Sequence, residues 1–368
     1  VIVIKEKVAH YWGRGRIWMD ARRPYSYIVA GFGIALIIIG SVIAVNARNH
    51  SPDERTDFTG TGETQEPVDT REPSQLTGVK VKKDLASQPI IGVMISNSKD
   101  ARPQSGLADA GIVFEAIAEG GITRQLALFQ EKSPEFLGPV RSLRPYFIDF
   151  ARGFNATVGH VGGSKEALTA AKSELAGRDL DQFSIGTAAF ERVGFRYAPH
   201  NVYTNVNTLR SLAESNGHSS NKFTPLKRQN PEPAAVPTAT DISINYSSAS
   251  YNTFWKYNKD NNRYLRTLGG EPHLDRETKK QLEFDTVVVI KSEYGSFFRD
   301  GTTYSTVKST GNGTAYVFQN GKAQRVTWKR SKVTDQFAFT STDGQPVALN
   351  SGQTWFAMQP TSQGLNFE

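Results

Sequence analysis

In EAIAEGGITR, residues 115–124, Glu115 and Glu119 lead across a glycine pair to Arg124. Apolar and polar residues alternate on both sides of Gly120-Gly121, which predicts two strands joined by a two-residue turn. With that turn Glu119 faces Ile122 and Ile117 faces Arg124, so Glu115, Glu119 and Arg124 share one face of the ribbon. A carboxylate pair tuned by an arginine suits glycoside hydrolysis or a metal site. A cross-strand salt-bridge cluster on a solvated face leaves the same trace, so the pair alone defines no reaction.

GPVRSLRPYF, residues 138–147, holds Arg141 and Arg144 between Pro139 and Pro145, with Ser142 between the arginines. Guanidinium groups fork onto carboxylates and phosphates, and prolines remove backbone freedom from the segment that carries them. On a flexible loop such a pair reads as solubilising charge; on a stiff one it points to anion recognition.

In HVGGSKEAL, residues 160–168, a strand ends at His160 and a helix begins at Ser164. Backbone N–H groups at Gly163, Ser164 and Lys165 would face an anion above the strand end, although a tight turn with an N-cap serine explains the residues equally well. The order Ser-Lys does not match the Walker pattern. His160 also reads as a filled core position.

RYAPHNVYTN, residues 196–205, supplies His200 and Asn201 after Pro199, and Asp179 and Asp181 precede them in GRDLDQF. Two histidines with carboxylates can bind Zn²⁺ or exchange protons. Without an HExxH-like spacing no metal is assigned, and without a GxSxG elbow neither Ser142 nor Ser164 reads as a nucleophile. No cofactor motif is present.

These residues need elements to hold them. PIIGVMIS (89–96) predicts a buried strand, GIVFEAIAE and ITRQLALFQ the hairpin, Pro145 to Phe154 a helix with proline in its first turn, and ATVGHV (156–161) a further strand. SKEALTAAKSELAG (164–177) predicts a helix capped by Ser164 and Gly177. An α+β (α/β-type) domain over 89–223 follows. TPLKRQNPEPAAVPTATD (224–241), with four prolines, reads as a linker. TVVVI, TAYVFQ, KAQRVTW, QFAFTST and TWFAM, with turns at Asn320-Gly321 and Asp343-Gly344, predict a mainly antiparallel β domain over 242–368.

Upstream, YSYIVAGFGIALIIIGSVIAV (25–45) is an uncharged run long enough to cross a bilayer as one helix. Six basic residues against Glu6 and Asp20 precede it, which by the positive-inside bias keeps 1–24 as a cytoplasmic stub and puts the folded domains outside the cell membrane. A cleaved signal peptide is the competing reading, but the run exceeds an h-region of roughly 7–15 residues. Arg22-Arg23 suggests a twin-arginine signal that Pro24, Tyr25 and Ser26 fit poorly. Residues 46–88, rich in Ser, Thr, Pro, Gly and acids, read as a disordered tether.

The stub holds much of the +7 net charge, leaving about +3 for the rest of the 368 residues, too thin for a nucleic-acid surface. With no cysteine, disulfides, thiolate metal sites and cysteine lipidation are excluded.

ARPQSGL (101–107), EAIAEGGITR (115–124), GPVRSLRPYF (138–147), HVGGS (160–164), DLDQF (179–183), PHNVYT (199–204) and GQTWFAMQP (352–360) together resemble the YerB-like lipoprotein family, whose function is unknown. The resemblance covers about 89–368 and implies an N-terminal α/β-type domain with a C-terminal β-rich one. Many relatives carry a lipobox cysteine; here the apolar run would replace the lipid as anchor.

Three functions fit this sequence. The first is a cell-envelope protein binding an anionic cell-wall component in a cleft lined by the glutamates, arginines and histidines named above. The second is a wall-glycan hydrolase or transferase using Glu115 and Glu119, or His160 and His200. The third is an envelope scaffold docking a protein partner through exposed aromatics such as Trp328 or Trp355 on the β-rich domain.

Overall fold

The computed structural model describes residues 69–368, which form one compact unit, Asp69–Glu368. The expected stub, membrane span and first part of the tether lie outside the described residues. Among the described residues no helix is long and apolar enough to cross a membrane.

The first half of the unit follows local signals. Strand β1 (Ile91–Ser96) is buried throughout, and β2 (Ile112–Glu119) pairs with β3 (Ile122–Phe129) through Glu119 opposite Ile122. Gly120 and Gly121 both take positive φ, 56° and 79°, as a two-residue turn requires. Helix α1 (Pro145–Arg152) begins on proline; β4 (Thr157–His160) follows. Helix α2 (Lys165–Glu174) is capped by the Ser164 hydroxyl, which accepts from Ala167 N. Then come β5 (Asp179–Asp181), the short pair β6 (Phe190–Arg192) and β7 (Val202–Thr204), and helix α3 (Val206–Ser215).

The second half is nearly all strand. Its strands β8 (Asp241–Ile244), β9 (Thr253–Asn258) and β10 (Arg263–Leu268) form a separate antiparallel sheet. Next are β11 (Thr286–Ser292), the hairpin β12 (Tyr294–Arg299) and β13 (Thr302–Val307), β14 (Gly311–Gln319), β15 (Lys322–Arg330) and β16 (Ala338–Ser341). Two more strands, β17 (Thr354–Pro360) and β18 (Leu365–Phe367), complete the chain, the latter on the β8 edge of the separate sheet.

One 13-stranded sheet runs through both halves, with β16-β15-β14-β11-β17-β2-β3-β1-β4-β5 along its path. The seam is β17, parallel to β11 on one side and to β2 on the other, with Trp355 opposite Val113 and Ala357 opposite Glu115. TWFAM, expected in an antiparallel meander, is therefore a parallel central strand. Its unbroken burial is the mark of a strand covered on both faces.

Successive residues feed two cores. Phe114, Phe356 and Met358 point to the face covered by α1 and α2, where Phe147, Phe150 and Ala171 pack. Val113, Trp355 and Ala357 point to the opposite face, where α3 residues Val206 and Leu209 and the second sheet's Trp255 and Tyr264 pack.

Two segments expected as tether or linker are packed against the folded unit. The tether was to reach residue 88, but Leu76 is wholly buried in the first core, and its N–H donates to Gln130 Oε1 at 2.9 Å. Few apolar residues suffice for that segment because buried polar anchors hold it. The proline-rich 224–241 segment is laid against the second half: Arg228–Gln229 pairs in parallel with Leu349–Asn350, and Ala234 N donates to Asn320 O.

Candidate functional site

The stiff arginine segment is threaded between strands. Val140 bridges Ile95 of β1, Arg141 N donates to Met94 O, and Val140 N donates to Val202 O of β7. Farther along, Val161 N donates to Arg141 O and Leu143 N to Gly162 O, so 141–143 lies beside the loop after β4. Every turn of this extended segment is pinned by backbone bonds. That fixes where its arginines project.

Glu119 is the hub. Its Oε1 accepts from Arg124 Nη2, and its Oε2 accepts from Arg144 Nε at 3.1 Å and lies 3.0 Å from Arg144 Nη2. Arg124 Nη1 also donates to the Ser142 carbonyl at 2.9 Å, and Arg144 Nη1 to the Leu143 carbonyl at 2.6 Å. Burial pushes the Glu119 carboxyl up, but Arg124 and Arg144 outweigh it and hold it below the usual range, so it is an ionised counter-ion.

Arg141 has no such partner. Its Nη1 reaches only the Pro199 carbonyl, at 3.4 Å, and its buried Nε has no hydrogen-bond partner in the structure. Burial and then Arg124 push it down to about 10, with Glu119 opposing and Arg144 adding. It is a half-buried cation deprived of a neutralising group.

His200 lies against the Ser96 and Ser98 hydroxyls at 3.4 and 3.5 Å, and the two hydroxyls are 2.9 Å apart. Burial, then Arg141, lower its affinity for a proton, against Asp100, so the ring is neutral near pH 7. On the other side of the cluster Arg144 stacks over Tyr304 of β13 at 5.4 Å, and with Ser164, Tyr304 and Phe297 it lines a cavity of about 120 Å³.

The other expected residues go elsewhere. A bulge between Ile117 and Glu119 puts Ala116, not Ile117, opposite Arg124. One extra residue turns Glu115 to the opposite face from Glu119 and Arg124, so the carboxylate pair does not form. Glu115 is wholly buried and accepts from Asn97, Thr123, Tyr246, Arg266 and Trp355.

His160 is also wholly buried. Its Nδ1 donates to the Gly162 carbonyl at 2.8 Å, its Nε2 meets Asp179 Oδ1 at 2.5 Å, and Asp181 is 3.9 Å away. Asp181 accepts from the Gly162 and Phe183 N–H groups. The set is a cross-tie between β4, β5 and the intervening loop. Ser164 N donates to Leu143 O, so one of the three N–H groups expected to face an anion is taken by the chain itself. Asn201 Oδ1 accepts from Arg192, at 2.9 Å. Trp328 and Trp355, expected as exposed docking aromatics, are buried core residues. Among the described residues no group of three or more His, Asp and Glu is arranged to hold a metal.

Sequence reasoning missed Ser96, Ser98 and Tyr304. The serines carried no motif, and Tyr304 arrives from the second half through a single pairing with Glu119.

A two-domain, β-rich protein with an arginine cluster in its first domain is thereby defined. The chain belongs to the family described as protein of unknown function (DUF3048), whose N-terminal domain matches residues 76–219 and whose C-terminal domain matches 242–356. It is 32% identical over 292 residues to a Bacillus subtilis (strain 168) protein named "Putative lipoprotein YerB", a match covering 77% of this chain and 85% of that one. The crystal structure of YerB protein from Bacillus subtilis superposes with a TM-score of 0.71 at 29% identity, over 80% of this chain and 99% of that one.

Proposed function

We propose that this protein is held at the outer face of the cell membrane and binds an anionic component of the cell wall at Arg141. The observation that carries the reading is Arg141 itself: a half-buried guanidinium, crowded by Arg124 and Arg144, with its buried Nε unpaired. Such a group gains from any carboxylate or phosphate that enters, because the ligand supplies the missing charge and bonds. The hydroxyls of Ser96 and Ser98 and the neutral His200 ring offer neutral polar contacts nearby.

Envelope location rests on the apolar run at 25–45, read as a single-pass anchor, and on a relative named as a lipoprotein. Hydrolysis or transfer is less well supported. Glu115 is closed to solvent, and Glu119 is held ionised between two arginines, so neither suits general acid work.

The test is calorimetric titration of residues 69–368 with N-acetylmuramyl-L-alanyl-D-isoglutamine, a wall fragment bearing a carboxylate. Saturable binding that weakens about 10-fold or more in Arg141→Gln, at unchanged thermal stability, is the expected result. An affinity that is the same in Arg141→Gln, or no binding at millimolar fragment, would sink the reading.

A further inference from the structure

The ARPQSGL motif contributes nothing to the Arg141 cluster, yet its arginine lines a cavity. This cavity, of about 370 Å³, lies where the two family domains meet. Lys99, Arg102 and Pro103 come from the first domain; Leu268, Pro272 and Leu274 come from the second. Clefts between domains are a preferred place for small-molecule sites.

Its two kinds of wall are chemically distinct. Arg102 is anchored by Nε and Nη2, which both donate to the Asn97 carbonyl at 3.2 and 2.9 Å, and its guanidinium stacks over Tyr251 at 5.1 Å. Glu115, the carboxylate that bears on it, is already paired with Arg266, so Arg102 is oriented without being neutralised. Lys99 stands exposed on the same wall. On the second domain's side Leu268 is almost fully buried while Leu274 is 38% exposed, an apolar lip that water meets. Glu271 is the one acid in the lining and would repel an anion placed near it.

We propose that this cavity binds an amphiphilic anion, with its carboxylate or phosphate head on Arg102 and Lys99 and its apolar body against Leu268, Pro272 and Leu274. A fixed guanidinium supplies directional bonds to the head group. The apolar wall gains from covering a hydrocarbon chain. Neither wall alone selects such a ligand. This site is separate from the Arg141 cluster, shares no residue with it, and stands or falls independently of the function proposed above.

Calorimetric titration of residues 69–368 with decanoate and with decyl phosphate, below their micelle concentrations, tests it. Decanol and inorganic phosphate serve as the half-ligands. The expected result is one saturable site for at least one anionic amphiphile, with each half-ligand at least about 10-fold weaker. Arg102→Gln should weaken binding about 10-fold or more, Lys99→Gln and Leu274→Asp several-fold, and Arg141→Gln not at all.

Co-sedimentation with phosphatidylglycerol vesicles separates the two sources of such a head group. Vesicle binding lost in Lys99→Gln and Arg102→Gln makes it a lipid headgroup; decanoate binding without vesicle binding makes it a free amphiphile. No saturable binding of either amphiphile, or affinities unchanged in both Lys99→Gln and Leu274→Asp, would overturn the proposal. Those two variants alter exposed side chains, so the test survives if Arg102→Gln fails to fold.

Discussion

Arg266 Nη2 lies 2.8 Å from Glu115 Oε2, and both side chains are wholly buried. The pair ties β10 of the second domain to β2 of the first. Asn97 and Thr123 fill Oε1 of the carboxylate, Tyr246 and Trp355 share Oε2 with the arginine, and the guanidinium lies 4.4 Å over the Trp355 ring. Such an arrangement offsets the desolvation of two charges only while every partner is present.

Removing one member strands the other. Arg266→Met should therefore destabilise residues 69–368 by about 3–5 kcal/mol in urea unfolding, because the wholly buried Glu115 is left without its Arg266 partner. Glu115→Gln should also be costly, since its amide nitrogen cannot accept the bonds that Oε2 now receives. The double variant should cost less than the sum of the two by about 1 kcal/mol or more. Strict additivity would mean that the pair is not coupled.

His273 extends this network and gives it a pH dependence. Its Nδ1 accepts from Arg266 Nη1, and its Nε2 donates to Gln104 Oε1 at 2.7 Å, which fixes a neutral tautomer. Burial first, then Arg266 and Arg102, hold its proton affinity well below the ordinary value of 6.5. The unfolded chain thus takes up a proton near pH 6.5 that the folded chain refuses. Stability should be complete above that pH and fall as pH drops below it, by up to ~1.4 kcal/mol per pH unit from this group. Urea midpoints between pH 7.5 and 5.5 should show the fall, and His273→Gln should reduce it, leaving the smaller parts that His200 and His218 contribute with the same sign. A wild-type curve already flat over that window would remove His273 from the account.

Local rules made much of the first domain legible. Gly120-Gly121 marked the turn, Ser164 the helix cap and Pro145 the start of α1, each through an interaction within a few residues. What stayed hidden depended on distant partners. The bulge beside Ala118 has no composition signal, yet it decides which face Glu115 occupies. TWFAM shows strand propensity, but only packing against β2 and β11 makes it parallel. Arg266 did leave a trace: in RYLRTL it shares the inward face with Tyr264 and Leu268, a charge where period two places the core. A buried arginine at such a position demands an acid, and Glu115 is that acid.

The arginine cluster was half legible for the same reason. Proline stiffness singled out Arg141 and Arg144, and the hairpin brought Arg124 to Glu119. Nothing local said that Glu119 would neutralise Arg124 and Arg144 and leave Arg141 aside.

That inequality yields a prediction about Glu119. Its carboxylate occupies the place where a ligand anion would neutralise Arg124 and Arg144. Glu119→Gln should therefore tighten binding of the muramyl dipeptide several-fold at low ionic strength, with the gain shrinking as salt screens the added positive charge. The same change should cost about 3 kcal/mol of stability, because two buried guanidinium groups lose their counter-ion. Calorimetric titration at two salt concentrations, beside urea unfolding, reads both effects. If affinity fell in Glu119→Gln, the carboxylate would be orienting Arg124 and Arg144 for the ligand. Its role as the internal competitor that leaves Arg141 to bind alone would then be wrong.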